Sequence, residues 1–157
     1  MVGLDFSVSM LEIARRKAPG VRFEVGNALE LPYADGEFAA ATVGFGARNF
    51  SDLGRGLAEM ARVTSPGGRV VVLEITTPQR PPLSWFFSMW FDRVVPTLGR
   101  IAGDPEAYQY LPSSVRRFPG PDDLAAQLAR EGLEDVSYVL TAGGIIAIHA
   151  GTVPQAP

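Results

Sequence analysis

Cysteine is absent from the 157 residues, which removes disulfides, thiolate nucleophiles and cysteine-based metal sites together. A chain without it fits a reducing compartment. Histidine occurs once, at His149, and there is no His-x-x-x-His pair, paired carboxylate site or Gly-x-Ser-x-Gly elbow. Metal catalysis therefore lacks a ligand set, and the Ser113-Ser114 pair lacks a nearby base for nucleophilic chemistry. An excess of one charge sign is missing too. The formal net charge is −3 and the pI about 5.1, so no global basic field attracts nucleic acid or anionic lipid. Long apolar runs are also lacking: PPLSWFFSMWF, from Pro81 to Phe91, falls well short of the roughly 20 residues that span a bilayer. The N-terminal stretch is interrupted by Asp5, Glu12, Arg15, Arg16 and Lys17, so the expectation is no signal peptide and a cytoplasmic location.

What remains is an ordinary apolar fraction of 46% in a length suited to one domain. Met1 to Leu4 reads as a strand ending at Asp5, and Ser7 as the cap of a helix reaching about Ala18, stopped by Pro19-Gly20. Val21 to Val25 alternates as a strand, and a polar loop follows to Gly36. Phe38 to Phe45 is continuously apolar, as expected of a strand buried on both faces. Ser51 or Asp52 caps a second helix with Leu53, Leu57, Met60 and Val63 inward; Pro66-Gly67-Gly68 reads as a turn before a buried strand from Arg69 to Ile75. Pro121 to Gly132 reads as a helix, and Leu133 to Thr141 with Ile145 to Ala150 as a β-hairpin. Between them, residues 80–117 form an aromatic insertion expected to be helical and broken by Pro96, Pro105 and Pro112. The tail from Thr152 is expected to fray.

Strand, helix, strand, strand, helix, strand describes a parallel α/β sheet, and the final hairpin adds an antiparallel edge. Ligands of such sheets sit beyond the carboxyl ends of the strands. That rule selects Asp5, Asn27 with Ala28, and Gly44 to Asn49. Asp5 is either an acceptor for ribose hydroxyls or a helix-start residue. Asn27 is either a turn residue or an amide for a purine edge. Met10 and Leu11 pack either on an adenine face or in the helix core. Arg48-Asn49, after two glycines, is either a site or an αL turn with a solvated Arg. His149 reads as a satisfied strand histidine.

VGLDFSVSML, GNALELPYADGEF, GFGARNFSD, RVTSPGGRVVVLE, VVPTLGRIAGDPEAYQYLPSSVRRFP and GIIAIHAG together resemble the S-adenosylmethionine-dependent C-methyltransferases of ubiquinone and menaquinone biosynthesis. The likeness runs from Val2 to about Gly151, and its Arg-Asn and Tyr-x-Tyr-Leu-Pro-x-Ser elements are the specific ones. It implies a class I, Rossmann-like doubly wound sheet with a C-terminal antiparallel hairpin, spanning residues 1–151. It implies that Asp5, Met10, Asn27, Ala28 and Gly44 bind S-adenosylmethionine, that Arg48 and Asn49 are catalytic, and that Tyr108, Tyr110 and Arg116 meet the acceptor. The reaction implied is C-methylation of a prenylated quinol, demethylmenaquinol to menaquinol. Trp85, Phe86, Phe87, Trp90 and Phe91 would then face the prenyl tail or a membrane surface, or else form a lid or a homo-oligomer interface.

The resemblance also implies a departure. Family members open with a first strand and a glycine-rich loop, whereas the chain here starts at the family's second strand. The absent strand is central in the family's sheet, so two unpaired strand edges and a fragment without stable independent activity are expected. An inactive remnant or scaffold, or a methyltransferase for another phenol or sterol, are the alternatives.

Overall fold

The computed structural model describes residues 1–78, 81, 85, 87, 89 and 113–155. Strand β1 (Val2–Asp5) leads to helix α1 (Val8–Lys17), where the Ser7 hydroxyl accepts the Met10 N–H at 3.4 Å. Arg15, Arg16 and Lys17 occupy the last turn, where the exposed carbonyls favour positive charge. Strand β2 (Arg22–Val25) returns parallel to β1, with Asp5 opposite Val25.

A connector over residues 26–37 leads to β3 (Phe38–Gly44), a short 3₁₀ turn (Ala47–Asn49) and helix α2 (Leu53–Val63). Asp52, not Ser51, caps α2: its Oδ1 accepts the Arg55 N–H at 3.0 Å. Strand β4 (Thr64–Ile75) lies parallel to β3. Helix α3 (Pro121–Arg130) starts on proline, where the missing N–H is harmless, and is followed by Gly132 at φ 88°. Strands β5 (Glu134–Thr141) and β6 (Ile146–Thr152) form the expected antiparallel hairpin around Ala142–Gly144. The two parallel pairs and the hairpin are those the sequence leads one to expect.

The strands divide into two sheets. One is β1-β2; the other has the order β3-β4-β6-β5. Among the described residues no backbone ladder joins β1 to β3, so each presents an open edge at the place where the resemblance puts a further strand.

One face of the larger sheet carries the core. Val70 and Val72 of β4 pack with Leu57 and Met60 of α2, Leu124 and Leu128 of α3, and Leu133, all buried. The β4 pattern alternates strictly from Gly68 onward, as one covered and one less covered face require. On the opposite face Ile148 and Val139 are cross-strand partners, 39% and 65% exposed. Gly56 lies where Phe50 crosses α2, and a Cβ there would overlap the Phe50 ring.

Three expectations need correction. Strand β3 is not buried on both faces: its residues are half-buried or exposed, because among the described residues β4 is its one strand neighbour and α2 packs on one side. The Pro66-Gly67-Gly68 turn is part of β4, which begins at Thr64 opposite Phe38; the register shifts between Phe38 and Ala40, with Gly67 at φ 77°. The chain does not fray at Thr152 either. Val153 exchanges backbone bonds with Gly67 and Gly68, both 2.9 Å.

Leu57 sits at the centre of this core and is fully buried. Leu57→Ala should therefore lower unfolding stability by about 2–5 kcal/mol, read as a reduced urea midpoint with unchanged slope.

Candidate functional site

The positions singled out by sheet topology gather at strand carboxyl ends. Asp5 closes β1, and its carbonyl accepts the Gly26 N–H at 3.1 Å, which ties it to the segment after β2. Its Oδ1 accepts the Ser7 N–H at 2.8 Å. Asp5 thus serves the helix start, as the bland reading had it, but that single bond also fixes the carboxylate at the strand end. Asn27 likewise forms a turn, its Oδ1 accepting the Leu29 N–H at 3.0 Å, which leaves the amide NH₂ as a donor. Ala28 is half-buried beside it. Met10 is 56% exposed on α1 while Leu11 is buried, so the two residues separate into a surface and a core position.

At the end of β3 the strained residue is not a glycine. Phe45 adopts φ 57° and is held there by its N–H to Leu73 O at 2.9 Å, whereas Gly46 has φ −113°. A bulky side chain in the left-handed region is uncommon and is found where surrounding structure over-determines it. A Cβ added to Gly44 would lie 3.7 Å from Leu73, in ordinary contact, so neither a clash nor a positive φ requires glycine there.

The Arg48 guanidinium donates from Nη1 to Glu74 Oε1 at 2.5 Å, and the Arg48 backbone N–H donates to Glu74 Oε2 at 3.1 Å. The Ile75 N–H adds a third bond to Glu74 Oε1 at 2.9 Å. Glu74 is buried in β4 and the Arg48 side chain only 13% exposed. The pair pins the β3 turn to the end of β4. Its net charge is near zero, so what Arg48 presents is a directed N–H rather than a free positive charge. Arg48 Nε is buried without a hydrogen-bond partner among the described residues. Asn49, next in the turn, is exposed.

Past β4 a cleft of about 170 Å³ is lined by Thr76, Thr77, Pro78, Val115, Arg116 and Phe118, among others. Arg116 therefore borders a space adjoining the end of β4. Tyr108 and Tyr110, expected at the acceptor, lie outside the described residues, as do Phe86, Trp90 and Phe91 of the aromatic insertion. Trp85 is 70% exposed and Phe87 is buried. His149 is buried, with Nε2 2.8 Å from Pro121 O, Nδ1 unpartnered among the described residues, and its ring tilted against Tyr138. Burial holds its pKa below the ordinary histidine value, with Pro121 and Asp122 opposing. Among the described residues no three His, Asp or Glu side chains group to hold a metal, and no helix is long and apolar enough to cross a membrane.

Sequence reading assigned nothing to Arg55, Glu59 and Arg62, which grip the 29–35 segment from α2. Their 4 and 3 spacing puts them on one helical stripe beside the apolar one. That pattern was available as a signal.

Solved structures share this architecture. A SAM-dependent methyltransferase from Aquifex aeolicus superposes with TM-score 0.65 at 14% identity, over 97% of this chain and 68% of that one. The cyclase SpnF superposes at TM-score 0.69 and 20% identity, over 99% and 66%. The fold is that of the class I methyltransferases. Within that class the match is specific: residues 1–153 match the ubiE/COQ5 methyltransferase family, and the chain belongs to it. The demethylmenaquinone methyltransferase of Thermus thermophilus is 46% identical over 98% of this chain, and that of Corynebacterium kroppenstedtii 42% over 99%. That of Deinococcus radiodurans is 45% identical over 91%. The chain spans 72, 67 and 61% of these three relatives' own lengths.

Two outcomes follow from the buried groups. Arg48→Met leaves the Glu74 carboxylate buried without its cation and should cost about 3–5 kcal/mol, whereas pairing it with Glu74→Leu should restore most of that loss in a double-mutant cycle. Burial lowers the His149 pKa in the folded protein, so the unfolded chain takes up that proton first as pH falls. Stability should therefore fall as pH drops below about 6.5, and His149→Phe should flatten that dependence in urea midpoints between about pH 7.5 and 5.5.

Proposed function

We propose that this chain carries the catalytic portion of an S-adenosylmethionine-dependent C-methyltransferase that converts demethylmenaquinol to menaquinol. The observation that supports the reading most is the family match over residues 1–153, with Arg48-Asn49 at the carboxyl end of β3. The donor set suits the cofactor. Asp5 is an anchored acceptor for two ribose hydroxyls, Asn27 and Ala28 meet the adenine edge, exposed Met10 can cover the adenine face, and Gly44, exposed at the end of β3, lets the cofactor approach the backbone. S-adenosylmethionine, when bound, supplies an electrophilic methyl group on its sulfonium.

The chain's own residues then act on the acceptor. A quinol ring carbon becomes nucleophilic as its neighbouring hydroxyl gives up a proton, because the oxygen's electron density reaches the ortho position. Asn49 holds the water that takes this proton, and the hydrogen of the methylated ring carbon then leaves through the same water as the oxygen is reprotonated, which restores the aromatic quinol. Arg48 donates an N–H to the developing oxyanion, and fixing that donor in advance through Glu74 avoids reorganisation during the reaction. Tyr108, Tyr110 and Arg116 hold the ring, with Arg116 bordering the cleft past β4. Exposed Trp85 meets the prenyl tail or the membrane surface that carries it.

Incubation of the protein with demethylmenaquinol and labelled S-adenosylmethionine should give one added methyl on the ring, read by mass spectrometry. Asp5→Ala should weaken cofactor binding about 10- to 100-fold by calorimetry, as expected for lost charge-assisted bonds. Cofactor binding without transfer to any acceptor would favour a non-catalytic remnant. Transfer to non-prenylated phenols with demethylmenaquinol ignored would favour a different small-molecule substrate.

A further inference from the structure

The 29–35 segment is attached to the body by an unusually dense set of bonds from one helix. Arg62 of α2 donates from Nη1 to Tyr33 O at 2.8 Å and to Asp35 at 2.7 Å, and from Nη2 to Leu31 O at 3.0 Å. Glu59, one turn earlier, receives Arg62 Nε at 2.7 Å and accepts the Leu31 N–H at 2.7 Å. Arg55, one turn earlier again, donates from Nε to Leu29 O at 2.7 Å. Residues 55, 59 and 62 lie on one stripe of a helix, and the backbone groups they bind belong to residues 29, 31 and 33 of a connector that turns and bends. One stripe of α2 thus holds three backbone positions of the connector in place. Tyr33 closes the other side: its hydroxyl donates to Glu24 of β2 at 2.8 Å and its ring meets Phe38 edge-on.

These bonds recognise backbone, and that limits what they can be for. Burial does not demand them, since Arg55 is exposed and Arg62 and Glu59 only half-buried. Neither do they extend a sheet. They begin two residues past Asn27, and β1-β2 shares no ladder with the larger sheet among the described residues. The clamp is therefore the polar link that sets where Asn27 and Ala28 stand relative to α2 and β3.

We propose that Arg62, assisted by Glu59 and Arg55, is a positioning device for the nucleoside end of the cofactor site, acting through the 29–35 backbone on Asn27 and Ala28. This rests on the reading above that Asn27 and Ala28 meet adenine. A guanidinium can serve two carbonyls and two carboxylates at once, whereas an ammonium has no planar fork to do so. Arg62 is held in its charged form chiefly by Glu59 and then Asp35, and Glu59 lies below the usual carboxylate range chiefly because of Arg62.

The test uses Arg62→Lys and Arg62→Ala in the protein, with binding of S-adenosylmethionine and of adenosine measured by calorimetry, and KM and kcat measured with saturating acceptor. Both variants should weaken adenosine and S-adenosylmethionine by the same factor, about 10-fold or more, with kcat at saturating cofactor within about 2-fold of the unaltered protein. Hydrogen exchange at the Leu31 amide should accelerate in parallel, and Arg55→Ala should show a smaller effect of the same kind. Should Arg62→Ala not fold, Arg62→Lys carries the test alone. Unchanged adenosine affinity in folded Arg62→Lys would overturn the proposal. Failure of the unaltered protein to bind adenosine would instead overturn the cofactor reading on which it rests.

Discussion

Strand β4 is the constraint on which the rest of the molecule depends. It pairs with β3 on one side and β6 on the other, and its alternating Val70, Val72 and Glu74 turn toward α2 and α3. The first two of these residues anchor the core. The third, one step further along the same face, has reached the strand's end and can no longer be covered by apolar neighbours alone. A carboxylate buried there is tolerable only with a cation and N–H donors in place, and Arg48, its own backbone and Ile75 supply them. The turn after β3 is thereby held to the same strand that organises the core. The core and the anchor of the candidate site thus stand on alternate residues of one strand.

Much of this was legible in the chain. Strand periodicity, the Ser7 cap, the proline start of α3 and the glycine turn of the hairpin are local signals with local causes, and the elements form where those signals stand. The misreadings share one cause, dependence on distant partners. Eight apolar residues from Phe38 look like a strand covered on both faces, yet coverage is decided by neighbours the run itself does not encode. The Gly44-Phe45-Gly46 run leaves open an αL turn at Asn49, but the left-handed residue is Phe45, whose N–H Leu73 fixes from another strand. Arg48 pairs with a residue 26 positions on, a distance no local pattern reports. The Arg55, Glu59, Arg62 stripe differs: it was readable as helical spacing, and what could not be read was the loop it grips.

The architecture alone does not carry the chemistry. A cyclase superposes on the chain as well as a methyltransferase does. What distinguishes this chain lies in its segments beyond the strand ends, and those segments are held by two different devices. The β3 turn is fastened by a buried ion pair. The connector after β2 is fastened by half-buried and exposed charge, where screening by salt is stronger. The β3 turn and the connector after β2 therefore respond to ionic strength unequally.

The split of the strands into two sheets bears on how the molecule opens. Strands β1 and β2 share a single ladder of four residue pairs with one helix beside them, whereas β4 is laddered on both sides over a packed core. Two-stranded parallel pairing of that length is marginal by itself. Among the described residues the β1-α1-β2 unit therefore has less ladder to hold it than the larger sheet. Asp5 belongs to the smaller sheet and Arg48 to the turn after β3 of the larger one, so a ligand touching both would raise the cost of separating them.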